Sequence, residues 1–144
     1  MIQNCYLIGV PTQSGASQAG CLMGPDAYRT ANISHALEEL GHRVTDYGNI
    51  TPRRVEIPQY HNKAIHHLNE TVGWAQELSE VAFTIASRSD FPIFLGGDHS
   101  LSIGSVPGVA KAAKNQGREQ FVLWLDAHPD FCLLYTSPSP RDRG

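Results

Sequence analysis

The stretch FVLWLDAHPD, Phe121 to Asp130, decides how the rest of the chain is read. It opens with Phe121-Val122-Leu123-Trp124-Leu125, an apolar run without alternation, which is the pattern of a strand covered on both faces in a parallel sheet. Polar residues begin where such a strand would end, with Asp126, His128 and Asp130 spaced i, i+2, i+4. In extended backbone those positions project from one face. Ligands of open α/β sheets bind outside the carboxyl ends of the strands, so a carboxylate, imidazole, carboxylate set there is a candidate site. The same letters also allow a plain polar loop with a capping Asp.

Upstream, three more stretches read as strands: the apolar run Asn4 to Val10, closed by Pro11; a weak second strand, Val44 to Tyr47, ending in Gly48-Asn49; and Phe91 to Leu95, broken at Gly96-Gly97. Gly24-Pro25-Asp26 starts a helix, because Pro loses no needed N–H in the first turn and Asp26 complements the dipole. Tyr28, Ala31, Leu37 and Leu40 give it an approximate inner face, and Gly41 stops it. From Pro58 to about Ser87, apolar residues at Ile65, Leu68, Val72, Ala75, Ala82 and Ile85 predict a long amphipathic helix. A third helical segment runs to about Asn115, and Val106-Pro107-Gly108 should kink or interrupt it. The order β-loop-α-β-α-β-α-β predicts right-handed crossovers and a parallel, doubly wound α/β sheet. The long loop from Thr12 to Gly24, rich in Ser, Gln and Gly, is of the kind that carries function.

Composition narrows the class. A chain of 144 residues, 41% hydrophobic and 17% charged, fits one globular domain. Lys+Arg 11 against Asp+Glu 14 leaves −3 with no basic stripe, which argues against nucleic acid or an acidic membrane as a partner. Cys5, Cys21 and Cys132 form no C-x-x-C pair, so a reducing, cytoplasmic setting is expected rather than a disulfide framework or zinc ribbon. The opening MIQNCYLIGVP lacks a basic n-region and is too short a run for a signal peptide or a membrane span.

Gly96-Gly97-Asp98-His99-Ser100 sits where the third strand should give way to a helix. It reads both as a capped turn and as a source of one more imidazole, with Asp98 or Ser100 fixing the loop. Carboxylates with imidazoles suit hard or borderline ions such as manganese, and the lack of nearby thiols argues against structural zinc. No P-loop, dinucleotide fingerprint or nucleophile elbow is present. The other histidines, His35, His42, His61, His66 and His67, fall on or beside predicted helices and are expected to be solvated.

FLGGDHSLSIGS followed by VLWLDAHPD resembles the arginase or ureohydrolase family, whose members carry G-G-D-H-S and D-A-H-x-D in that order. GCLMGPDAYR, Gly20 to Arg29, is similar to that family's G-P-x-x-x-R segment, and Asp46-Tyr47-Gly48-Asn49 to its D-x-G-D/N turn. The resemblance covers residues 2 to 131 and implies the first half of a three-layer αβα sandwich with a binuclear manganese centre at the carboxyl edge of the sheet. By that resemblance His99 ligates the first manganese, Asp126 bridges both, His128 ligates the second, and Asp130 ligates the first while handling the proton of the attacking water. The implied reaction is hydrolysis of the guanidinium group of L-arginine to L-ornithine and urea, by a full-length protein expected to be a homo-oligomer. The family's later D-x-D pair and its Asn-Thr recognition loop are not found after Phe131, so the chain alone is expected to be inactive. Agmatinase, guanidinobutyrase or formiminoglutamase activity, or a non-catalytic metal-binding paralogue, are the alternatives. A metallophosphoesterase is disfavoured because G-D-H precedes D-x-H.

Residues 132–144, CLLYTSPSPRDRG, continue no earlier pattern and resemble a translated sequencing adapter. The expectation is therefore a single ureohydrolase domain in part over 1–131 and a non-native, disordered tail over 132–144, against a natural flexible terminus as the alternative.

Overall fold

Residues 2–16, 19–58 and 65–126 are described by the structure, a computed structural model. Its elements are β1 (Asn4–Val10), α1 (Gly24–Thr30), α2 (Ile33–Glu39), β2 (Arg43–Asn49), α3 (Leu68–Ser87), β3 (Phe91–Gly96) and α4 (Ser102–Asn115), with short 3-10 turns at Cys21–Met23 and His99–Leu101. The strands form a parallel three-stranded sheet in the order β2-β1-β3. With β1 in the centre, both its faces must be covered, and Leu7, Ile8 and Val10 are wholly buried.

Alternation along β1 divides the two layers. Ile8 and Val10 share one cluster with Ile50 and with Trp74, Leu78, Val81 and Ile85 of α3, and Tyr6, Phe94 and Leu101 pack against it. On the opposite face, Gly9 lies beneath Asn49 and the Arg29 side chain of α1. Helices thus cover both sides of the sheet, the αβα arrangement. Between Leu7 and Ile8 the β1–β2 register shifts, Leu7 facing Asp46 and Ile8 facing Gly48, which leaves Tyr47 as the extra residue of a bulge.

α3 starts at Leu68 rather than near Pro58. Residues 51–58 run without helix or strand across its surface, held where the Arg53 N–H donates to the Gly73 carbonyl at 3.2 Å and the Arg53 guanidinium pairs with Glu77 and Glu80. Ile65 is exposed, so the apolar stripe begins inside α3 and not before it. The single helix expected from Gly24 to Gly41 is two, because Asn32 takes a left-handed conformation between α1 and α2. Its inner face was also misplaced: Tyr28 and Leu40 are exposed, and Pro25 is the buried residue of α1. His42 is half-buried and its Nδ1 accepts the Gln3 N–H at 3.3 Å, whereas His35, His66 and His67 are exposed as expected; His61 lies outside the described residues.

α4 runs through Pro107 without interruption. Pro107 and Ile103, whose carbonyl it leaves without a helical donor, are both on the exposed side, where solvent replaces the lost bond. The inner side of α4 is held by contact at two glycines. A Cβ at Gly104 would stand 2.7 Å from the Ala75 carbonyl oxygen, and one at Gly108 would stand 2.4 Å from that of Ser79.

The apolar run that opens the key stretch does not join the sheet. Residues 121–126 carry no strand assignment, and Leu123 and Leu125 are 81% and 85% exposed. A cavity of about 280 Å³, lined by Phe94, Val106 and Val109 on one side and Phe121, Val122 and Leu123 on the other, separates the run from β3 and α4. Such a run becomes a buried strand only with a ladder neighbour and cover on both faces, and the described residues provide neither. Among them, no helix is long and apolar enough to cross a membrane. The tail expected over 132–144 lies outside the described residues.

Candidate metal centre

Because the chain passes from β1 to one neighbour and returns to β3 on the other side, the sheet has its switch point between β1 and β3, the usual ligand crevice of an open α/β sheet. Their carboxyl ends, Val10 and Gly96, are register partners. Backbone pairing continues past them: Gly97 N–H donates to the Val10 carbonyl and Asp98 N–H to the Thr12 carbonyl, each at 2.9 Å. Gly97 permits this approach, since a Cβ there would lie 2.0 Å from the Thr12 oxygen.

Asp98 holds the crevice with both carboxylate oxygens. Oδ1 accepts the Ser100 N–H at 2.9 Å, capping the 3-10 turn that begins at His99. Oδ2 accepts the Gly15 N–H at 2.8 Å, from the loop that follows β1. The capped turn and the loop-fixing Asp expected from sequence are thus one residue. Leu101 carries the far end of the turn onto the core, and Ser102 Oγ donates to the His99 carbonyl at 2.9 Å. His99 is anchored on both sides.

Held this way, His99 Nδ1 comes to 3.9 Å from Asp126 Oδ2, with side-chain exposures of 48% and 21%. The His99 ring also stands edge-on to Trp124, centroids 6.5 Å apart at 69°. Two residues from different chain segments, expected as ligands, therefore meet at the carboxyl edge. His128 and Asp130 lie outside the described residues, and among those described no group of three His, Cys, Asp or Glu converges. The pair fits an ion in chemistry and in spacing. Bonds near 2.1 Å to a common cation leave donor atoms roughly 3–4 Å apart, and an imidazole beside a carboxylate, without thiolate, suits a hard or borderline metal.

A second arrangement near this edge joins the two lesser motifs, which sequence reading had left separate. Arg29 donates from Nε and Nη2 to both oxygens of Asp46, at 2.7 and 2.9 Å, and from Nη1 to Asn49 Oδ1 at 2.7 Å. Gly48 N–H donates to Asp46 Oδ1 at 2.8 Å, the local bond that the Asp-x-Gly spacing signals. The Arg29 hydrogen bonds, with the Gly48 N–H and the Arg29 charge adding to them and burial opposing, hold the Asp46 carboxyl below its ordinary range. A lowered folded-state pKa contributes stability above the ordinary carboxylate range and loses it as pH falls through the lowered value. Asp46→Asn is therefore expected to cost more stability at pH 7 than at pH 2.5, measured by urea unfolding. The loss at pH 7 stays modest because Asp46 is 39% exposed, and an equal loss at both pH values would refute the assignment.

Over residues 3–144 the chain matches the arginase family, and it belongs to that family. It is 51% identical over 143 residues to the arginase of Agrobacterium fabrum, covering 99% of this chain and 44% of that protein. It is 50% identical over 141 residues to that of Brucella melitensis, covering 98% and 46%. The native structure of the Bacillus caldovelox arginase superposes with a TM-score of 0.67 at 32% identity, over 76% of this chain and 37% of that one. The chain thus spans a little under half the length of the curated relatives it matches, and the family match continues across the expected boundary at Phe131.

Proposed function

We propose that this chain forms the amino-terminal metal-binding portion of a manganese-dependent amidinohydrolase, which converts L-arginine to L-ornithine and urea. The observation that carries this reading is the meeting of His99 and Asp126 at the β1–β3 switch point, in a chain about half identical to curated arginases. In it, His99 offers one imidazole nitrogen and Asp126 a carboxylate oxygen 3.9 Å away, donor types that suit a hard or borderline divalent ion. His128 and Asp130 complete this chain's share of the ligands. Two divalent cations held there would supply the Lewis acidity that makes water nucleophilic near neutral pH.

Guanidinium is resonance-stabilised and a poor electrophile, so the site must position the substrate carbon against the water and stabilise the tetrahedral stage. Asp130 accepts the water's proton and passes it toward the departing amine. The remaining ligands and the substrate-recognition loop belong to a carboxyl-terminal portion, so the 144-residue chain by itself does not turn over.

The test joins residues 1–131 to the carboxyl-terminal portion of the Agrobacterium fabrum relative. Urea release is followed with added manganese, from arginine and separately from agmatine, beside the 144-residue chain. The expected result is turnover of arginine by the chimaera alone. A folded chimaera silent on both substrates, or robust turnover by the isolated chain, would overturn the proposal.

A further inference from the structure

Asp98 is adjacent in sequence to a proposed ligand, but its two hydrogen bonds run in different directions, one along the chain to Ser100 and one across the crevice to Gly15. The cross-crevice bond is part of a small lattice of contacts. Thr12 is fully buried, with its Oγ1 3.4 Å from Ser14 Oγ, and Ser14 Oγ in turn accepts from Thr71 Oγ1 at 3.0 Å near the start of α3. Gly15 sits so close to the turn that a Cβ there would stand 3.1 Å from Ser100 Cβ. The loop after β1 therefore has two anchors, Thr71 on α3 and Asp98 on the turn that carries His99.

We infer that Asp98 is a positioning residue of the metal centre: with one oxygen it sets His99 toward Asp126, and with the other it fixes residues 12–15 as the wall of the same crevice. Only a carboxylate can accept both backbone N–H groups, since an amide has a single acceptor oxygen and its NH₂ would oppose the second donor. Asp98→Asn thus keeps one arm, and the cap to Ser100, two residues away, is the one it retains. Asp98→Ala keeps neither. Ser14→Ala removes the Thr71 anchor and leaves both Asp98 bonds in place.

The inference rests on the proposed metal centre only for its manganese arm, and the experiment uses the 144-residue chain with two readouts by NMR. The first needs no metal: amide exchange at Gly15 and Ser100, with the nuclear Overhauser contact between the His99 and Trp124 rings. The second is broadening of the His99 resonances as Mn²⁺ is added. Asp98→Ala should free both amides, abolish the ring contact and raise the manganese needed for half-broadening about tenfold, the lower end for losing a residue that orients a ligand. Asp98→Asn should free Gly15, retain Ser100 protection and restore most of the ring contact. Ser14→Ala should leave His99 unchanged. An unchanged ring contact and Gly15 exchange in either Asp98 variant would overturn the inference. If His99 in the unaltered chain shows no response to Mn²⁺, the ligands of this chain do not hold the ion by themselves, and the ring contact with Gly15 exchange still decides the role of Asp98. Should the Ala variant fail to fold, the Asn variant decides the arm to Gly15, and Asp98→Gly, which lacks any side-chain acceptor but is tolerated at a cap position, decides the arm to Ser100 through the same ring contact.

Discussion

Replacing Gly108 with Leu is expected to lower the stability of the chain by about 3 kcal/mol or more, at the upper end of overpacking losses. α3 and α4 approach closely because α4 presents Gly104, Gly108 and the fully buried Ala112, one turn apart, while α3 presents Ala75, Ser79 and Ala82. The nearest atoms to a Cβ on Gly108 are the Ser79 carbonyl oxygen and Ala82 Cβ, at 2.4 and 2.7 Å, and neither can rotate away. Even Gly108→Ala should destabilise, because its helix-propensity gain of about 1 kcal/mol is smaller than the cost of moving one helix off another. Urea unfolding checks the order wild type, Ala, Leu. An Ala variant more stable than wild type would show that the helices separate at little cost.

Asp126→Asn in the arginine-hydrolysing chimaera is expected to cut kcat by more than about a hundredfold, since losing residues that merely orient ligands already costs 10- to 100-fold. The change preserves size and removes charge, so manganese content measured after dialysis should fall while thermal unfolding of the metal-free protein stays within about 0.5 kcal/mol of wild type. Undiminished manganese and kcat would exclude Asp126 as a ligand.

Several parts of this structure were legible in the sequence because one local rule fixed them. β1 and β3 were bounded closely by Pro11 and by Gly96-Gly97, and α3 and α4 ended within a residue or so of Ser87 and Asn115. His99 and Asp126 were paired by their motifs, and they meet. What escaped depended on partners remote in sequence. Tyr28 and Leu40 satisfied helical spacing yet face solvent, because α1 and α2 split at Asn32 and spacing does not say which layer covers which face. Arg29 and Asp46 lie on different elements, and no periodicity links a helix guanidinium to a carboxylate in a strand bulge. Gly108 was read with Val106 and Pro107 as an interruption of the helix; its reason, shared with Gly104, is the backbone of α3. Phe121 to Leu125 has the composition of a buried strand, but composition specifies a need for cover and does not supply it.

The central place of β1 also governs how the molecule is made. At its start the Asn4 side chain reaches Asp90, the residue just before β3, across 86 positions, whereas α3 and α4 are joined through β3 and the short turn at His99. Closing so long a loop is entropically slow, so the helical pair can assemble while β1 still lacks its second neighbour. During synthesis, Cys5, Leu7, Ile8 and Val10 emerge well before their β3 partners, an apolar strand open to wrong partners until Gly96 has left the ribosome. The segment that becomes the most buried of the three described strands is the one that chaperones have most reason to hold.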